Sequence, residues 1–475
     1  MRKLLFPILL GFLIAIPGAQ AASTKLTIRG AGFGHGIGMS QFGAYGYALH
    51  LTDYRTILSH YYTATALSQL DTNPDVGVLL QDGRPSARFS GALTAGDIDL
   101  DQAKTYSVAR GSGGLVIREA GGAKVGTTAG PLRIGAPVGG AVKLLGVSTP
   151  GVRDGAYRNA LVISASGSGV RTVNWLGLED YVRGVVSGES PASWPTEALR
   201  AQAVAARTYA ITSNAGGGSF TQYADTRSQV YRGVSGRRPT TDAAVRDTKG
   251  QVVTYNGTPV TTFFFSTSGG ETEDIENSFV GSAPKPWLKA VSDPFDNLSP
   301  KHRWGPYKYT ATQAGAKLGR LLKGRFKKIN VLQRGVSPRV VRAQVVGTKG
   351  IVNVTGPQLR KVFGLFDTWA YFTSVSTAVK KTPAAPAPTP SSSGGTEGGG
   401  MAAARAASAG ATRLTGAIAP AKAGAWIVVQ RRAGRHWLKE ADARLARGGH
   451  YSVAVGPGVY RVTYARSTGP VVRVR

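Results

Sequence analysis

Leu176–Tyr209 reads LGLEDYVRGVVSGESPASWPTEALRAQAVAARTY, and the rest of the chain is read outward from it. Leu178, Val182 and Val185 recur at i, i+4 and i+7, the spacing of one helix face. Glu189 falls on that face if the helix runs one turn further, and Gly188 and Pro191 predict its end about there. Trp194-Pro195 opens a second helix, with proline suited to a first helical position, and an alanine-rich run carries it to about Ile211. Leu199, Ala203, Ala206 and Ala210 form the face expected to pack tightly on the core. Glu179 and Asp180 open the first helix, where they are expected to complement its dipole. Glu189 thus stands where one apolar helix ends and another begins. A carboxyl held against apolar neighbours resists ionising and can serve as a general acid. The local pattern fits equally a surface residue at a helix end.

The chain has 475 residues, enough for two or three domains, and a formal net charge of +31. Such a balance implies an anionic partner: nucleic acid, an acidic membrane face or an anionic cell wall. No run of cations interleaved with aromatics marks a nucleic-acid surface, so that partner is not expected. Arg2 and Lys3 precede the apolar run Leu4–Ile16, and a small-x-small pattern ends at Ala21. This predicts a secretory signal peptide over 1–21, with an uncleaved anchor as the alternative. The run is shorter than the roughly 20 residues a membrane span needs. Cysteine is absent, which excludes disulfides and thiolate metal sites. A secreted, cationic chain is drawn to wall polymers bearing phosphates and carboxylates, less so at high salt.

Along the chain, Lys25–Arg29 reads as a strand, Gly30–Gly38 as a glycine-rich turn, and Ser40–His60 as helical. From about 76 to 165 short alternating runs predict a β-rich lobe. A core of strands and helices over about 170–370 includes a helix around Ala243–Lys249, strands at Gln251–Tyr255 and Val260–Phe265, and a last helix at Gly356–Phe363. With no βαβ regularity, the expected class is α+β over 22–380. A Pro/Ser/Gly/Ala-rich linker over 381–410 follows. Alternation over 411–475 predicts a small, strongly basic β-sandwich-like module in which Glu440 and Asp442 are the only acids. It reads as a wall-associating appendage or a neutral spacer.

Few constellations carry chemistry. Gly30–Gly38 fits neither a dinucleotide nor a phosphate loop. Its His35 is either structural or lines a cleft. No HExxH or paired histidine spacing predicts a metal, and no GxSxG elbow predicts a serine nucleophile. Ser266 and Ser268, before Gly269-Gly270, are either oxyanion-type donors or turn residues. Asp225 lies in ADTRSQVYRG, which reads as a polar loop beside a site. No second carboxylate pairs with Glu189, whereas ordinary glycosidases need two flanking the bond. Single-acid chemistry fits better.

Three blocks resemble the SpoIID/LytB family of bacterial cell-wall proteins. They are GFGHGIGMSQFGA (Gly32–Ala44), LEDYVRGVVSGESPASWPTEALRAQAVAARTYA (Leu178–Ala210), and DTRSQVYRG (Asp225–Gly233) paired with FFSTSGGETE (Phe264–Glu273). The resemblance implies a peptidoglycan lytic transglycosylase that cleaves the MurNAc–GlcNAc bond and leaves a 1,6-anhydro end. It implies Glu189 as the acid and base, and His35, Gln41, Gln202, Arg207, Gln229, Ser266 and Ser268 as residues at the glycan cleft. For Arg207 the alternative is that it satisfies buried acids. Peptidoglycan strands are the implied partner, with anionic wall polymers meeting the basic module; no cofactor is implied, and oligomeric state is left open. Some members of the family are instead amidase modifiers. In many members the GHGxGMSQ block comes last. Here it comes first, and it would still pack beside Glu189 if the fold is kept. The zinc site that some members build from cysteines is absent with the cysteines.

Overall fold

A computed structural model describes residues 23–149, 151–378 and, within 412–474, all but 420–423, 435, 448, 465–466 and 470. The expected signal peptide and the linker lie outside the described residues.

The protein is a mixed α+β structure. The helices around the site are α1 (Gln41–Leu49), α2 (Tyr54–Tyr61), α3 (Leu178–Glu189), α4 (Thr196–Thr212) and α5 (Pro239–Asp247). The single helical pattern read over 40–60 is two helices. Leu51 takes a left-handed φ of 62°, and the Asp53 side chain caps α2 by accepting from the Thr56 amide.

Residues 75–177 build two antiparallel sheets. One runs Lys124–Thr128, Gly114–Glu119, Thr105–Gly111, Ser86–Ser90, Val142–Val147, Arg153–Tyr157. The other centres on Asp75–Arg84, Gly169–Gly177 and Ala160–Ser166. Alternate residues point inward, as a sandwich requires: Tyr106 and Val108, Leu115 and Ile117, Leu161 and Ile163. Their core does not stop at the lobe. It continues into Leu178, Tyr181, Val182, Val185 and Val186 of α3 and Leu199, Ala203, Ala206 and Ala210 of α4. The β-rich lobe therefore shares its core with the helices.

Helix α4 is buried nearly all round. Its Leu199–Ala210 face meets the sandwich, as expected, and its Ala198, Ala201, Val204 and Ala205 face meets α1 and α2. Alanine makes this arrangement feasible, because two layers can approach one helix closely. Arg207 is the exception in that apolar helix, and it is fully buried. Its guanidinium forks onto Glu179 (Nε–Oε1 2.8 Å, Nη2–Oε2 2.9 Å) and donates to the Gln251 and Val245 carbonyls at 3.2 and 3.3 Å. Glu179 also accepts from the Gly250 amide at 3.0 Å. Glu179 is thus half of a buried ion pair and not, as its helix-start position suggested, a solvated partner of the dipole.

A five-stranded antiparallel sheet orders Arg303–Thr310, Ser23–Ala31, Ala370–Ala378, Thr412–Ala419 and His450–Val455. Ala370–Ala378, the last strand before the linker, pairs with Thr412–Ala419, the first strand after it (Ser374↔Ala417, Val375↔Gly416). The C-terminal module is all-β with its own core around Ile427, Val429, Tyr460 and Val462, and Val375 of the main domain joins that core. The sheet is continuous from one to the other.

Removing one partner of a buried pair strands the other charge at a cost of about 3–5 kcal/mol. Arg207→Met is therefore expected to lower the denaturant midpoint sharply. Glu179→Leu added to it should recover part of the loss. A single variant that unfolds like wild type would show the pair to be dispensable.

Candidate functional site

Helix α3 ends at Glu189 because Ser190 is extended (φ −130°, ψ 138°), as a residue before proline prefers. Two glycines one turn apart, Gly184 and Gly188, face the loop that follows Asp225. A Cβ at Gly188 would lie 2.3 Å from the Val230 carbonyl oxygen, and one at Gly184 would lie 2.4 Å from the Tyr231 ring. Lacking both, α3 lets the loop settle against it, and the Arg232 amide donates to the Gly184 carbonyl at 3.1 Å. The Asp225 carboxylate, forked by Arg227, shapes the turn. The Val230 amide then donates to Glu189 Oε1 at 2.6 Å.

The other oxygen faces α1. Gln41, the first residue of that helix, brings its Nε2 to 3.3 Å from Glu189 Oε2, 3.2 Å from the Glu189 carbonyl and 3.3 Å from Gln202 Oε1. The GHGIGMSQ block therefore packs beside Glu189 although Gln41 and Glu189 are 148 residues apart in sequence. Gln202 Nε2, buried in α4, and the hydroxyl of the adjacent Ser190 have no partner among the described residues. Such atoms are what a polar ligand completes. Ser266 sits alongside, its carbonyl accepting from the Phe42 amide at 3.0 Å.

Burial raises the Glu189 carboxyl above its ordinary value, opposed by the Val230 amide, the Gln41 side chain and the charge of Arg232. The side chain is nevertheless only half-buried toward solvent. No carboxylate is among its hydrogen-bond partners in the described residues. Three part-exposed aromatics follow Gln41 or Glu189 in sequence and meet one another: Trp194 stacks on Tyr45 (4.9 Å between centroids) and meets Phe42 edge-on (5.2 Å).

The remaining expected residues lie elsewhere. Arg207 is consumed by Glu179. Gln229 is fully buried, accepting from the Tyr181 hydroxyl at 2.8 Å and donating to the Ala206 carbonyl. Ser268 is fully buried and accepts from the Gly270 amide. His35 donates from Nε2 to the Phe264 carbonyl (3.1 Å) and accepts at Nδ1 from the Ile37 amide (3.1 Å). Burial and the nearby Arg360 charge push it down to about 3, so it stays neutral and braces the glycine turn. These four are scaffold, because a side chain whose polar atoms are spent internally has none left for a ligand.

Sequence reasoning missed the Val230 amide and the aromatic trio. It also missed a buried pair behind α1, where Asp293 accepts from the Tyr61 hydroxyl (2.8 Å) and Asp296 pairs with His302 (2.6 Å). Burial pushes Asp293 up to about 6. A glycine motif lacking room for a Cβ, GxxxGE, was the one available signal for the loop contact.

Residues 166–255 match the family described as SpoIID, Stage II sporulation protein. That region carries Glu189, Gln202 and Val230; Gln41 and Ser266 lie outside it. The chain is 39% identical over 174 residues to Stage II sporulation protein D of Bacillus subtilis (strain 168), covering 32% of this chain and 49% of that protein. It is 32% identical over 207 residues to the protein of the same name from Bacillus amyloliquefaciens (40% and 58%). It is 44% identical over 116 residues to an amidase enhancer of Bacillus subtilis (strain 168), covering 24% and 15%. The chain thus spans about half the length of the sporulation protein D relatives it matches. No solved structure matches.

Because ionising Glu189 costs the folded state, the stability it contributes is present below the ordinary carboxylate range and lost as pH rises through the raised value. Glu189→Gln removes that loss. Its melting-temperature advantage over wild type is expected to grow from about pH 4 to pH 7, and a flat difference would contradict a raised carboxyl. Gly188→Ala should displace the Val230 amide and cost about 1–3 kcal/mol by overpacking, with a Glu189 resonance that titrates higher still.

Proposed function

We propose that the chain is a lytic transglycosylase acting on the glycan strands of peptidoglycan, with Glu189 as its only acid and base. The observation that carries this reading is a single desolvated carboxyl, still reachable from solvent, with a backbone amide on one oxygen and a side-chain amide on the other. Burial favours its neutral acid, which can donate to the oxygen of the MurNAc–GlcNAc bond as the C1–O bond breaks. The resulting carboxylate, stabilised by Val230 and Gln41, then accepts the proton of the same sugar's 6-hydroxyl as that oxygen bonds to C1. The products are a free GlcNAc hydroxyl and a 1,6-anhydro ring. No water is consumed, Glu189 ends protonated, and no second carboxylate is required, unlike in the two-carboxyl hydrolases. The aromatic trio offers apolar faces for sugar rings, and Gln202 and Ser190 offer unspent polar atoms.

The reading requires action at the wall, which agrees with the expected leader and with attraction of a +31 chain to anionic polymers. A second reading, a non-catalytic wall-binding protein that modifies an amidase, is favoured by the similarity to a protein named amidase enhancer.

Product chemistry separates the two. Purified chain incubated with glycan strands, with and without stem peptides, is expected to release anhydro-muropeptides by mass spectrometry. Glu189→Gln is expected to lower the rate at least about a hundredfold, the lower range for a general acid. The wild-type rate should fall as pH rises through the raised Glu189 value. Absence of anhydro product from every substrate would leave the binding reading.

A further inference from the structure

A groove of ≈ 720 Å³ opens where the C-terminal sheet joins the main domain, and it shares no lining residue with the Glu189 site. Four cations line it from two segments: Lys25 on the first strand, and Arg325, Lys327 and Lys328 at the start of the Phe326–Arg334 strand. No aspartate or glutamate lines it. None of the four takes part in an ion pair among the described residues. Among the described residues the Lys25 ammonium donates only to the Val471 carbonyl, at 3.2 Å. The Lys328 ammonium sits directly against His450 Nε2, two basic nitrogens in contact with no acid between them. Burial lowers both, and the Lys328 charge lowers His450 further.

Two more features point at an anion. Tyr451 is 4% exposed, and its hydroxyl has no partner among the described residues. It is seated beside Gly416, where a Cβ would lie 2.5 Å from the hydroxyl oxygen. Buried hydroxyls are ordinarily satisfied, so this one awaits a partner. In addition, the helix Ala311–Leu318 begins in the groove wall, with Ala311 and Thr312 among the lining residues. The Thr310 hydroxyl caps the Gln313 amide, and the dipole at this end favours negative charge.

We infer that this groove binds the phosphates of an extended phosphodiester polymer with small polyol spacers. Three cations along one segment, with a fourth on another, suit several phosphates in a row better than one. Nucleic acid fits poorly, because the lining aromatics Phe326 and Tyr451 are buried and offer no face to a base. The inference does not depend on whether Glu189 cleaves glycan.

The test is calorimetric titration of the full chain with polyglycerol phosphate. Arg325 and Lys327 are exposed, so Arg325→Gln/Lys327→Gln should fold normally and bind about tenfold more weakly. Tyr451→Phe should weaken binding while leaving the melting temperature unchanged or higher, which a merely structural tyrosine would not do. Arg88→Gln/Lys143→Gln removes the same charge from the exposed face of the sandwich and should bind like wild type. Glu189→Gln should also bind like wild type. Equal weakening by both double variants, or single-stranded DNA of matched phosphate number binding as tightly, would overturn the inference. So would no binding of polyglycerol phosphate at all.

Discussion

The fork from Arg207 to Glu179 is the contact on which the rest of the main domain depends. One guanidinium joins the start of α3, the middle of α4, the Val245 carbonyl near the end of α5 and the Gln251 carbonyl of the following strand. Each charge is out of water, so each is tolerable only with the other in place. The pair therefore sets where α3 and α4 lie relative to one another. With that set, the C-terminal end of α3 presents Glu189, and the α4 turn carrying Gln202 stands beside it. A second buried fork, from Arg339 to Asp367, does similar work for the turn after Phe265. Arg339 donates to the Ser268 and Glu271 carbonyls and so holds the serine turn in place.

Within that frame, the chemistry at Glu189 follows from what surrounds each of its oxygens. Desolvation acts on the whole carboxyl and favours the neutral acid. The Val230 amide and the Gln41 side chain act on the ionised form and limit the shift. An acid that must give and then retake a proton needs both influences, since too little burial would ionise it before reaction and too much would strand the conjugate base. The close approach of the Val230 loop rests on Gly184 and Gly188, so the site is tuned by the absence of two side chains as much as by the presence of others.

The sheet that begins with Arg303–Thr310 runs without a break into the C-terminal strands. A module that composition describes as an appendage is hydrogen-bonded to the body that carries the site. The join also creates the cationic groove, which neither part contains alone: Lys25 and Arg325 belong to the main domain, and His450 and Tyr451 to the module.

Much of this was legible in the sequence. The spacing of Leu178, Val182 and Val185, the stop at Pro191 and the alanine face of α4 are local, and periodicity with proline and glycine punctuation encodes them directly. The alternating strands of the sandwich and the α+β mixture were readable for the same reason. What the sequence withheld is what depends on distant residues meeting. Arg207 and Gln229 lie in blocks that look like a binding site, and only their burial against Glu179, Tyr181 and Ala206 makes them scaffold. The strands at Arg303–Thr310 and Ala370–Ala378 gain their role from pairing with Ser23–Ala31, far off in sequence. Glu189's burial, the Val230 amide on one oxygen and Gln41 on the other were decided by the tertiary structure alone, because a carboxyl's proton affinity is set by what surrounds it in space and not by its neighbours along the chain.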